Sequence, residues 1–334
     1  MKKITEEMPK VVLHLHLDGS LRSETVAEWL GEDVEEVKQK LMVDKDCRNL
    51  NEYLEKFDLP AKVLQTKENI ERATYELFED LSKQNVIYAE VRFAPSKHTL
   101  EGLSYEEVVE AAIQGMNRAK EEFGIDGNLI LCCMRGDDNK EENLETVKVA
   151  KEYLGKGVCA LDLAGAEALF KTENFEDIFK IAKKNNIPFT IHAGEADGSE
   201  SIKKALEFGA KRIGHGVRCV EDKNLMGKLA QEGIALEVCP TSNLQTQAIQ
   251  GKHPIEELYR KGLSVTISTD NNTVSNTDIV SEYDWVLRNT SLTVNDLINM
   301  DLNAARNIFA STEKKTELIQ KINEYKNKEV NKVK

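Results

Sequence analysis

His14 and His16 lie two residues apart in the stretch Leu13-His14-Leu15-His16-Leu17-Asp18-Gly19. Val11 and Val12 precede it and a glycine ends it, so it reads as a buried β-strand closing on a turn. Side chains alternate along a strand, which puts both imidazoles on one face and the three leucines on the other. Two imidazoles so placed reach a single ion, although two buried, hydrogen-bonded histidines satisfy the same pattern. His192 and Asp270 are the further ligand candidates. Three imidazoles and a carboxylate suit a borderline cation, zinc above all, and leave room for a water that loses a proton near neutral pH. Glu195 follows His192 by three residues, near enough to act on a substrate without ligating. Taken alone it reads equally as a solvated loop glutamate, and His215, between two glycines, as an incidental imidazole. Asp162 reads as a residue holding a neighbouring loop.

These residues need a scaffold, and eight short apolar runs supply one: 11–17, 86–94, 128–134, 158–164, 188–193, 212–216, 235–239 and 264–268. Amphipathic stretches separate them, among them 103–123, 143–154, 175–185, 199–208, 222–232 and 255–261. Strands alternating with helices imply parallel pairing and right-handed crossovers, and eight units point to a closed (β/α)8 TIM barrel, an α/β fold. Functional groups gather at the C-terminal strand ends of such barrels. The first run ends in His14, His16 and Asp18, the fourth in Asp162, the fifth in His192, the sixth in His215, and the eighth is followed by Asp270. His98 and His253 fall between runs and read as ordinary surface residues. Ser104-Tyr105-Glu106-Glu107 has the form of a capping box at a helix start.

The connection between Gly19 and Val86 is too long for a plain βα unit. Its helical patterns at 24–30, 34–41, 50–57 and 68–84 predict a helical cap over residues about 20–85, beside the H-x-H. The tail, about 301–334, reads as one or two closing helices ending in a frayed lysine-rich stretch. No repeat or linker divides residues 1–334, which read as a single domain. A net charge of −13 argues against general affinity for nucleic acid or anionic membrane. With no apolar run long enough to span a bilayer and no signal-peptide core, the expectation is a soluble cytoplasmic protein. The six cysteines include no C-x-x-C and read as reduced, buried thiols without a metal role.

In order and spacing, H-L-H-L-D-G-S, D-L-A-G-A-E, H-A-G-E, I-G-H-G-V, E-V-C-P-T-S-N and S-T-D-N resemble the adenosine deaminase family of metal-dependent barrel hydrolases, over about residues 11–272. The resemblance implies one catalytic zinc per chain held by His14, His16, His192 and Asp270. It implies that Glu195 protonates N1 of the purine and that His215 orients and helps deprotonate the water. Gly165 would offer its backbone N–H to N3, Asp18 would bind the ribose hydroxyls, and His16 would also face the substrate. The implied activity is deamination of adenosine and 2′-deoxyadenosine to the inosine products with loss of ammonia, in purine salvage. A free-adenine or modified-nucleoside deaminase is the alternative; relatives acting on adenine resemble H-x-H-L-E-G, with glutamate where Asp18 stands here. Where the family commonly has a second aspartate, this chain has Asn271, whose amide is able to donate to N7 of the ring at any pH; holding the loop around Asp270 is the alternative role. The H-x-E and P-C-x-x-C pair of nucleic-acid deaminases is absent. The implied partner is a small purine nucleoside, and oligomeric state is left open.

Overall fold

A strand buried on both faces can be apolar throughout, and the near-continuous apolar runs of this chain take that position. The computed structural model describes residues 2–332, with eight strands: β1 (Lys10–His16), β2 (Val86–Phe93), β3 (Asp126–Met134), β4 (Val158–Ala164), β5 (Thr190–Ala193), β6 (Arg212–His215), β7 (Ala235–Val238) and β8 (Ser264–Ile267). Each starts and ends within two residues of its expected run, and all pair in parallel, β1 to β4 and β5 to β8. Single parallel bridges join the two sets at both seams, Leu161 with Phe189 and Leu15 with Asp270. The TIM barrel is therefore closed, and Asp270 belongs to a seam as well as to the strand-end cluster.

The β8–β1 seam needs help from a side chain. Ser268 Oγ accepts from the backbone N–H groups of Leu13, at 3.3 Å, and His14, at 3.1 Å, where a ladder carbonyl would otherwise be required. This hydroxyl fixes the backbone that carries the first histidine.

Between β1 and β2 the chain forms the helices Ser23–Leu30, Val34–Leu41, Leu50–Leu54, Asp58–Val63 and Lys67–Lys83, matching the expected insertion. Lys67–Lys83 packs on Tyr105–Phe123, which opens with the Ser104–Glu107 capping box. That contact requires a glycine: a Cβ on Gly115 would lie 2.2 Å from the carbonyl oxygen of Glu71. The C-terminal expectation needs correction. Asp301 does not precede the closing helices but lies inside Val294–Asn307, which follows Ile279–Asn289; the last helix is Thr312–Lys332. Asp301 is buried because it anchors its helix, accepting from Val11 N at 3.0 Å and Tyr283 OH at 2.8 Å. Residues 333–334, the end of the stretch expected to fray, lie outside the described residues. All six cysteines are buried and free. Among the described residues no helix is long and apolar enough to cross a membrane.

Replacing Ser268 with Ala leaves two buried N–H groups without an acceptor. The expected cost is about 1–3 kcal/mol, read as a lower urea midpoint at unchanged slope.

Candidate active site

The ends of β1, β5 and β6, with the segment just after β8, bring His14, His16, His192, His215 and Asp270 together. Ligand atoms of His14, His192, His215 and Asp270 lie within 4.8 Å of one another. His16 joins them, its Nε2 being 3.3 Å from Asp270 Oδ1 and 3.2 Å from His192 Nε2. His14 Nε2 stands 3.2 Å from Asp270 Oδ1. Two of the five take left-handed backbone, His215 at φ 59° and Asp270 at φ 65°, a region that side chains other than glycine occupy at some strain, often at functional sites.

The donor set fits a cation. Adjacent ligands around a tetrahedral ion at 2.0–2.1 Å are roughly 3.3 Å apart, matching all three spacings just given. His14 Nε2 and His215 Nε2 are both buried and make no hydrogen bond, despite their neighbours. The partners at the far ring nitrogens decide which imidazoles present a lone pair. His14 Nδ1 is 2.8 Å from Glu237 Oε2, and His192 Nδ1 is 2.8 Å from Asp162 Oδ2. A carboxylate there holds the proton on Nδ1 and frees Nε2 for a metal. His215 differs, because its Nδ1 faces the amide nitrogen of Asn243 at 3.0 Å. An amide N–H only donates, so the neutral ring keeps its proton on Nε2. The neutral His215 ring therefore presents an Nε2–H where His14 and His192 present a lone pair.

Glu195 is buried, with Oε2 3.3 Å from His215 Nε2 and Oε1 accepting from Thr246 Oγ1 at 3.2 Å. Burial first, then the charges of Asp270 and Glu167, push its carboxyl well above the usual range. Glu167 fixes this loop by accepting the backbone N–H groups of Gly194, Glu195, Ala196 and Asp197 at 2.7 to 3.1 Å.

A cavity of about 360 Å³ opens over the cluster. Asp18, Gly165, Asn271, His16 and Glu195 line it, and the insertion roofs it with Tyr53 and Phe57. The cap lies where the sequence puts it. Burial raises the Asp18 carboxyl to about 7. Asn271 Nδ2 donates to Tyr53 OH at 3.0 Å, so one amide hydrogen is engaged by the cap. A Cβ on Gly19 would overlap Asn271 Oδ1, which explains the glycine after Asp18. A larger groove, about 930 Å³, lies near Arg218, Lys252 and Arg260. Its cations are paired with Glu221 and Glu256.

Two sequence expectations fail here. His98 and His253 are buried, not surface residues, their rings against Phe93 and Trp285. Burial lowers both to about 4. Asp162 does more than hold a loop, since it bridges His192 and Arg92 Nη1, the latter at 2.8 Å. Sequence reading missed Glu237, Arg92, Glu167, Ser242, whose Oγ donates to Asp270 at 2.6 Å, and Asn243. Glu167, Glu237, Ser242 and Asn243 stand inside motifs already noted, and that placement was the available signal.

A family model described as adenosine deaminase matches residues 9–325. The chain belongs to the adenosine deaminase family. Within that family, an adenosine deaminase of Haemophilus ducreyi is 42% identical over 93% of this chain and 94% of its own length. Among solved structures, an adenine deaminase from Arthrobacter aurescens superposes with a TM-score of 0.87 at 26% identity, covering 96% of this chain and 99% of that one. An N6-methyl-AMP deaminase from Arabidopsis thaliana does so with a TM-score of 0.85 at 29% identity, covering 97% and 98%.

Asp162→Asn keeps an acceptor for His192 but removes the charge that polarises it. The expected result is metal affinity weakened by about tenfold or more, measured by competition with a chelator of known affinity.

Proposed function

We propose that the chain hydrolyses adenosine and 2′-deoxyadenosine to the inosine products and ammonia, as one cytoplasmic domain serving purine salvage. The observation that carries this reading is the pairing, across one cavity, of buried Glu195 with a metal-competent His/Asp cluster. His14, His16, His192 and Asp270 would hold one zinc ion, which supplies Lewis acidity and a water acidic enough to attack near neutral pH.

The residues of the chain do the rest. Glu195, kept protonated by burial, gives its proton to N1, which makes C6 electrophilic. The water oxygen bonds to C6, the C6–N6 bond breaks, and the nitrogen leaves as ammonia. Of the two protons of the water, one goes to the leaving nitrogen and one restores Glu195. His215 orients the water from beside Glu195. Gly165 offers its N–H to N3, and the amide hydrogen of Asn271 not engaged by Tyr53 goes to N7. Asp18 meets the ribose hydroxyls, and its length separates this reading from free adenine, since a glutamate there would occupy the space of the sugar. The adenosine deaminase relative supports the same choice over the adenine and N6-methyl-AMP deaminases, whose identities are lower.

Two measurements check this. Glu195→Gln can still donate a hydrogen bond to N1 but cannot transfer a proton, so kcat should fall by at least about a hundredfold with KM largely kept. Turnover within tenfold of wild type removes Glu195 from the mechanism. Adenosine should exceed adenine in kcat/KM by about a thousandfold or more, because remote sugar contacts contribute at the transition state. Equal rates on the two rule out the nucleoside reading.

A further inference from the structure

His253 is read from sequence as a surface residue, yet it is buried and bonded into the catalytic cluster through one intermediate. Its Nδ1 accepts the backbone N–H of Ile255 at 3.1 Å. Its Nε2 lies 3.3 Å from Asn243 Oδ1, and Asn243 Nδ2 lies 3.0 Å from His215 Nδ1. His215 Nε2 then faces Glu195 Oε2 at 3.3 Å.

The polarity of this chain is set at its outer end. A backbone N–H can only donate, so His253 Nδ1 carries no proton. Burial keeps the ring neutral, so its single proton is on Nε2 and points at Asn243. Asn243 must therefore present its oxygen to His253 and its N–H to His215. Turning the amide over would set two donors face to face, or require an imidazole with no proton at all. The proton of His215 is consequently confined to Nε2, on the side of Glu195.

We propose that His253 is a positioning residue which, through Asn243, fixes the Nε2–H tautomer of His215 and so keeps that ring a hydrogen-bond donor at the reaction centre rather than a fifth ligand or a base. This deepens the proposed function and rests on its assignment of His215 beside the attacking water. A neutral Nε2–H aligns a water oxygen; it does not take up a proton.

The test is long-range ¹H–¹⁵N NMR on metal-loaded enzyme labelled at its histidines, of which there are six. In the wild type His215 should be protonated at Nε2. Asn243→Asp offers an acceptor to both rings and should move the proton to Nδ1. His253→Ala should give a mixture of tautomers, with kcat lowered about tenfold to a hundredfold, KM within about twofold and metal content unchanged. His253→Gln places an N–H near the former Nε2 and should restore the tautomer and most of the rate. Both His253 variants deprive Ile255 N–H of its acceptor, so rescue by Gln reports the bond to Asn243 and not general packing. An Nδ1–H tautomer in the wild type overturns the proposal without any variant having to fold. Equal tautomers and rates in the Ala and Gln variants also overturn it. Failure to turn over adenosine with the Nε2–H tautomer intact counts against the proposed function and leaves the relay standing.

Discussion

Glu237 is the group on which the geometry of the site depends. It is wholly buried on β7, where an isolated carboxylate would cost several kcal/mol. Four donors reach it: His14 Nδ1 and Arg92 Nη2 at 2.8 Å, Arg212 Nε at 2.6 Å and Thr190 Oγ1 at 3.0 Å. Burial alone would raise its pKa, but Arg92, Arg212 and His14 hold it well below the usual range. It therefore remains an anion and keeps His14 in the tautomer that a metal needs. Arg92 carries the constraint on to Asp162 and through it to His192. Arg212 carries it downward to Glu90, which accepts the N–H of Phe309 in the link between helices Val294–Asn307 and Thr312–Lys332. The interior of the barrel is thus a single chain of charge-assisted bonds joining two histidines of the cluster to the C-terminal segment. Losing one member would strand a buried charge, so the network holds as a unit.

Much of the fold was legible because its signals are local. Apolar runs bounded by polar helices mark a strand whatever its neighbours do, and all eight strands lie where those runs predict. The cluster was legible because barrel topology turns strand order into proximity. The roles of Glu237 and Arg92 were not, although Glu237 opens the E-V-C-P-T-S-N motif, since each is a charged residue within an apolar run and its partners are far away in sequence. Their burial follows from closure of the barrel, which no window of residues reports. His253 was misread for a related reason. A histidine followed by proline in a polar stretch carries the marks of a loop, and only packing against Trp285 shows that the loop is covered. The boundary at Asp301 failed because an aspartate resembles a helix start, whereas this one serves β1 from inside its helix.

The cluster itself illustrates how hydrogen-bond polarity separates residues of one type. Four imidazoles crowd together, and distance alone does not tell a ligand from its neighbour. Carboxylates behind His14 and His192 favour a lone pair at the front, whereas an amide N–H behind His215 favours a proton there. For these three rings, the groups at the back thus set which nitrogen carries the proton.

The bond from Asn271 to Tyr53 ties the cap to the floor of the site. Tyr53 OH also meets Ser275 Oγ at 2.6 Å, so the helix Leu50–Leu54 is tied at one atom to two residues of the segment after β8. The roof of the cavity and the segment that carries Asp270 are therefore one piece at this point: displacing Leu50–Leu54 would strip Asn271 and Ser275 of their shared partner at once, so the shape of the cavity and the aim of the amide stand or fall together.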